Sequence, residues 1–168
     1  EKAFREVSIE GCEIIGQGSN GIVYRLDPET IVKVYRNADA LEEMQREREI
    51  SRKAFVLGIP TAIPYDVVRV GDKFGTVFEL LNARSITKLI LAEPEKLDEY
   101  VAVFVDTLKL IHNTAVQPGQ LPAMKTVALD WADFLKGHLP DSQQQKLHEL
   151  ISAVPDHDYM LHGDYHSN

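Results

Sequence analysis

The stretch Gly16-Gln17-Gly18-Ser19-Asn20-Gly21-Ile22-Val23 spaces its glycines in the pattern G-x-G-x-x-G-x-V, and the residues after it narrow the fold more than any other feature. A dinucleotide-binding unit needs a helix directly after the third glycine, because that helix N-terminus receives the pyrophosphate. Here Ile22-Val23-Tyr24 runs instead into Asp27-Pro28-Glu29-Thr30, a turn with proline at its second position. The segment therefore reads as strand and hairpin. A Walker A loop would close on Gly-Lys-Ser or Gly-Lys-Thr, which is missing. A nucleophile elbow would need glycine two residues before Ser19, where Gln17 stands. Two readings remain: an ordinary glycine turn, or a glycine hairpin whose backbone N–H groups approach the phosphates of ATP.

The neighbouring segments extend this strand-rich start. β-Branched runs at Ile14–Ile15, Ile22–Tyr24 and Ile31–Tyr35 predict three antiparallel strands. Lys33 lies in the third, between Val32 and Val34, and alternation puts it on one face with Ile31 and Tyr35. An ammonium there needs an anion nearby, unless its stem lies along an edge strand and its head reaches water. The segment from Asn37 to Gly58 predicts a helix, with Asn37 or Asp39 as cap, glutamates in its first turn, and Gly58 and Pro60 as its stop. Tyr65 to Leu81 predicts a hairpin turning at Gly71-Asp72.

The second half changes character. From Pro94 the apolar residues Leu97, Tyr100, Val101, Phe104, Val105, Leu108 and Ile111 recur at helical spacing. Further helices are expected over Val127–Leu139 and Ser142–Val154, and Asp158 to Gly163 reads as a short strand. The expected architecture is α+β: a strand-rich lobe over residues 1–81 with one helix, a connector near Leu81–Ser85, and a mostly helical part over 82–168.

Composition limits the partners. The formal charge of -8, with no dense Lys/Arg block, argues against nucleic acid and anionic membrane and suits a neutral or cationic small molecule. Cys12 is the single cysteine, so no internal disulfide forms, which points to the cytoplasm. No apolar run approaches membrane-spanning length.

Glycine loop, strand lysine, helix glutamate, hairpin, connector, long helix and closing His162-Gly163-Asp164 follow one another in this order. In that order the chain resembles the aminoglycoside phosphotransferase and choline-kinase-like branch of the protein-kinase-like fold, whose members pass the ATP γ-phosphate to hydroxyls of small molecules. Gly163 stands where protein kinases carry arginine, and the long insert Asn113 to Tyr159 is similar to the one that helps small-molecule kinases build an acceptor pocket. The resemblance implies that Gly16, Gly18, Ser19, Asn20, Gly21 and Val23 cover ATP, that Lys33 pairs with its α- and β-phosphates, and that a helix glutamate positions Lys33. Helical phase favours Glu49, on the border of a stripe with Leu41, Met44, Phe55 and Val56, while Glu47 lies by a second apolar patch near Ala54. Glu79 and Leu81 would pair with adenine through backbone atoms. Asp164 would orient or deprotonate the acceptor hydroxyl.

The kinase signature puts an Mg²⁺-binding asparagine five residues after the catalytic aspartate, whereas Asn168 is four after Asp164. The resemblance thus implies a metal ligand at Asn168 or at a residue beyond it, and the chain is expected to be an N-terminal fragment, inactive alone, of an ATP- and Mg²⁺-dependent kinase. A zinc site from His157, His162, His166 and Asp164 fits no standard spacing. Two other readings stay open: a nucleotide-binding pseudokinase, or an interaction module presenting the acidic helix 39–53.

Overall fold

The computed structural model describes residues 4–37 and 41–167. It divides into two compact units, Glu1–Arg84 and Ser85–Asn168. The first unit is built on a six-stranded sheet: β1 (Arg5–Glu6), β2 (Ile14–Gln17), β3 (Gly21–Arg25), β4 (Thr30–Tyr35), β5 (Pro64–Val70) and β6 (Lys73–Glu79). Their order is β1-β5-β6-β4-β3-β2, antiparallel except for β1 beside β5. Helix α1 (Leu41–Val56) packs on β5 and β6.

The turns follow from local chemistry. Asp27 Oδ1 accepts the backbone N–H groups of Glu29 (2.8 Å) and Thr30 (2.7 Å), and Oδ2 accepts the Thr30 hydroxyl. These bonds hold the Asp27 carboxyl below its ordinary range, the Thr30 hydroxyl contributing most. Gly71 takes a positive φ of 61° at the first central position of the β5–β6 hairpin, as a type II′ turn requires. Helix α1 ends in a Schellman motif: Gly58 has φ 84°, its N–H donates to Phe55 O, and Ile59 N–H donates to Ala54 O. Asp39, the alternative cap, lies outside the described residues.

The sheet buries its two faces differently. One carries Val32, Val34, Val68, Val70 and Val77, covered in part by Val7, Ile9, Tyr24 and Leu26. On the other, Tyr35 packs with Met44 of α1, flanked by Leu41 and Phe74. Met44 is fully buried, which contributes about 1.5–3 kcal/mol.

The second unit is helical: α2 (Ile86–Ala92), a 3-10 turn at Pro94–Lys96, α3 (Leu97–His112), α4 (Met124–Phe134) and α5 (Asp141–Ala153). Helix α2 is an addition to the elements expected from sequence, opened by the Ser85 hydroxyl accepting Lys88 N–H. The predicted strand over Asp158–Gly163 is corrected to one isolated bridge, Tyr159 with Ala115, and a bond from Met160 N–H to Thr114 O. Among the described residues no further bridge extends this pairing, so no ladder propagates. The helices expected over Val127–Leu139 and Ser142–Val154 each begin and end earlier, α4 stopping at Phe134 before the Lys136–Leu139 bridge.

Candidate active site

Antiparallel pairing sets Lys33 opposite Val23 on one side and Thr76 on the other, so three strands bring these side chains to one face. Two residues along β4, Tyr35 shares that face. Helix α1 lies against it and supplies the counter-charge. Lys33 Nζ donates to Glu47 Oε1 at 2.6 Å and to Oε2 at 2.9 Å. The side chains are 25% and 36% exposed, so the pair is shielded without being sealed from a ligand. An ammonium has three donors, and the one left beyond this pair is available to an anion.

The partner is Glu47, which corrects the assignment to Glu49. Glu49 is half exposed and points to Arg52 (3.9 Å) and Lys53 (3.8 Å) on its own helix. The stripe that favoured Glu49 leaned on Phe55 and Val56, which are 47% and 73% exposed. The true inner face runs through Leu41, Met44, Glu47, Ser51 and Ala54.

Tyr35, absent from the sequence assignment, completes the cluster. Its hydroxyl donates to Glu47 Oε2 at 2.5 Å, and Lys33 Nζ sits 4.8 Å from its ring centroid. Burial first, then the Glu47 carboxylate, push the Tyr35 phenol well above its ordinary value. The Thr76 hydroxyl acts in the opposite direction on Tyr35; it is buried and has no partner at normal hydrogen-bond distance among the described residues. The visible signal for Tyr35 was its two-residue spacing from Lys33.

The glycine loop joins β2 and β3 as a hairpin, Gln17 pairing with Ile22 and Gly18 N–H donating to Gly21 O. Its glycines differ in kind. A Cβ on Gly21 would come within 2.5 Å of Val34 O, so the approach of β3 to β4 excludes any side chain there. A Cβ on Gly16 would make ordinary contact with Val23, and one on Gly18 would meet nothing within 4 Å. The fold gives no reason for glycine at position 18, whereas close approach by a phosphate would. Ser19 donates to Asn20 Oδ1, and Arg36 Nη2 reaches Gly18 O at 3.3 Å.

At the far end of β6, Glu79 N–H donates to Ile63 O, and the Glu79 carboxylate accepts Ile63 N–H at 3.3 Å. Leu80 N–H donates to Glu29 O. Among the described residues no hydrogen bond engages the Leu81 N–H, and Leu81 is 46% exposed.

In the second unit, Asp164 sits on an exposed loop fixed on both flanks. Gly163 has φ 82°, and Asp164 N–H donates to His162 Nδ1 at 3.2 Å. Tyr165 donates its hydroxyl to Phe104 O of α3 at 2.7 Å and packs its ring on Phe104, with His162 edge-on. Ser167 is held by Thr87 of α2 through backbone and hydroxyl, both at 2.9 Å. Neither Thr87 nor Tyr165 was singled out in the sequence. Asn168 lies outside the described residues. Among the described residues no three His, Cys, Asp or Glu side chains form a group able to hold a metal ion. Mg²⁺ at nucleotides uses one or two carboxylates plus the phosphates and does not need such a group. Among the described residues no helix is long and apolar enough to cross a membrane.

The chain belongs to the phosphotransferase enzyme family APH, whose model matches residues 11–168. The gentamicin complex of APH(2″)-IIa aligns with 85% of this chain and 52% of its own, at 18% identity and a TM-score of 0.51. That likeness gives the chain its α+β, protein-kinase-like fold. The ternary complex of streptomycin, ATP and APH(2″)-IIa covers 84% and 52% at 19% identity, with a TM-score of 0.47. The ADP-bound aminoglycoside phosphotransferase APH(2″)-Ib covers 84% and 52% at 18% identity, with a TM-score of 0.49. This chain thus spans about half the length of the structures it matches. No curated protein matches it.

Proposed function

We propose that the protein transfers the γ-phosphate of ATP to a hydroxyl of a small molecule, an aminoglycoside- or choline-like acceptor. The observation that carries the reading is the bidentate Lys33–Glu47 pair, held on the strand that follows a glycine hairpin. In this account Gly16, Gly18, Ser19, Asn20, Gly21 and Val23 cover the nucleotide, Lys33 binds its phosphates with Glu47 behind it, and the backbone of Glu79 and Leu81 meets adenine. Residues 1–81 form the nucleotide lobe, and 82–168 form the hinge and part of the acceptor lobe. Asp164 takes up or directs the acceptor's hydroxyl proton while its oxygen attacks the γ-phosphorus in line and ADP leaves. Asn168, or a residue beyond it, would hold Mg²⁺, which neutralises phosphate charge.

The acceptor pocket and full activity need more chain than these residues. Besides the 52% coverage, the second unit leaves much apolar surface uncovered: Trp131 is 74% exposed, Phe134 81%, and Leu97, Val101, Val103 and Leu110 of α3 between 44% and 53%. The reaction is therefore assayed in the complete protein, as ATP consumption across a panel of amino-sugar and amino-alcohol acceptors. Removing Asp164 as Asp164→Ala should cost about 10²–10⁴-fold in kcat/KM, with a large loss also for Lys33→Ala. Unchanged kcat/KM in both variants would defeat the assignment.

A further inference from the structure

We infer that Tyr35 is a positioning residue for phosphoryl transfer: its hydroxyl locks the Glu47 carboxylate so that Lys33 is held at the glycine hairpin before nucleotide arrives. The inference rests on the proposed role of Lys33 and goes beyond it. The lysine stem is four flexible carbons, and one carboxylate partner leaves the ammonium free to swing with it. Tyr35 removes that freedom. Its ring is 2% exposed and fixed by Met44, Leu41 and Phe74, so its hydroxyl is a rigid point on the sheet. That hydroxyl donates to the same Glu47 Oε2 that Lys33 approaches at 2.9 Å, while Lys33 also donates to Oε1. The ring face also lies 4.8 Å from the Lys33 ammonium, a cation–π distance. In register Tyr35 stands opposite Gly21, so one ring relates helix α1, the lysine strand and the hairpin. A phenol shifted upward by burial and by Glu47 keeps its proton and remains a donor at neutral pH.

The test uses Tyr35→Phe, which keeps the ring and its packing and removes only the donor, with Glu47→Gln as the volume-conserving comparison. Lys33 reactivity is read first, without nucleotide, as its acetic-anhydride acylation rate by peptide mass spectrometry. It should rise severalfold in Tyr35→Phe and in Glu47→Gln over the unsubstituted protein. Acylation of Lys33 unchanged in Tyr35→Phe overturns the inference whatever the kinetics show. The second reading is kcat/KM for ATP in the complete protein. Tyr35→Phe should lower it by about threefold to tenfold and add almost nothing in a Glu47→Gln background, since both act through one carboxylate. Full additivity, or faster acylation with kcat/KM unchanged, also overturns the inference, the first by making Tyr35 a packing residue. A complete protein that consumes no ATP while the acylation difference persists refutes the proposed function and leaves the Tyr35–Glu47–Lys33 lock standing.

Discussion

Lys33, Glu47 and Tyr35 share one property: each would be costly alone where it sits, the first two half-buried and the third buried, and inexpensive in company. An unpaired ammonium or carboxylate loses hydration on burial, and a buried phenol needs an acceptor. Here each group meets the need of another. The Tyr35 phenol is shifted upward, so its folded state holds the proton more tightly than an unfolded tyrosine, whose pKa is about 10. The stability gained is fully present below about pH 10 and is lost as pH rises above it toward the folded value. Burial and Glu93 also shift Tyr100 upward, so a spectrophotometric titration of phenolate should show late groups among the six tyrosines, and Tyr35→Phe should lack one of them. Wild type and variant differing by a group that ionises near pH 10 would contradict this. Lys33 was legible in the sequence because a lysine amid Ile31, Val32 and Val34 demands an anion. Glu47 was not, because exposed apolar residues at Phe55 and Val56 rotated the apparent inner face of the helix toward Glu49.

The glycine hairpin makes its own prediction among the elements. Gly21→Ala forces a Cβ onto Val34 O and should destabilise by about 1–3 kcal/mol, the usual cost of overpacking. Gly18→Ala enters open space and should leave stability within about 0.5 kcal/mol, yet weaken Mg-ATP binding if the hairpin covers phosphates. Thermal unfolding of both variants with and without Mg-ATP checks the contrast; equal destabilisation, or full binding in Gly18→Ala, would contradict it. Elements with local stop signals were legible: the β5–β6 hairpin through Gly71, α1 through Gly58, the β3–β4 turn through Asp27 and Pro28. Those defined by distant partners were not. β1 is two residues long and exists only through pairing with β5. Asp158–Gly163 has the apolar start of a strand but finds a single bridge. Helix α2 has a local signal of its own, Ser85 as a cap before an apolar run, but it is only seven residues long.

At the scale of the whole molecule, the match over residues 11–168 places the chain in a phosphotransferase family, and the chain divides into two compact units. Net charge of -8 suits a cationic acceptor without naming one. The central claim is that Lys33 serves ATP and Asp164 serves the acceptor. Calorimetric titration of Mg-ATP into the complete protein separates the two roles. A charge-assisted hydrogen bond contributes about 1.5–3 kcal/mol, so Lys33→Ala should weaken binding about tenfold or more, while Asp164→Ala stays within about threefold of wild type. Mg-ATP binding equally tightly to Lys33→Ala and to the unsubstituted protein would contradict the account.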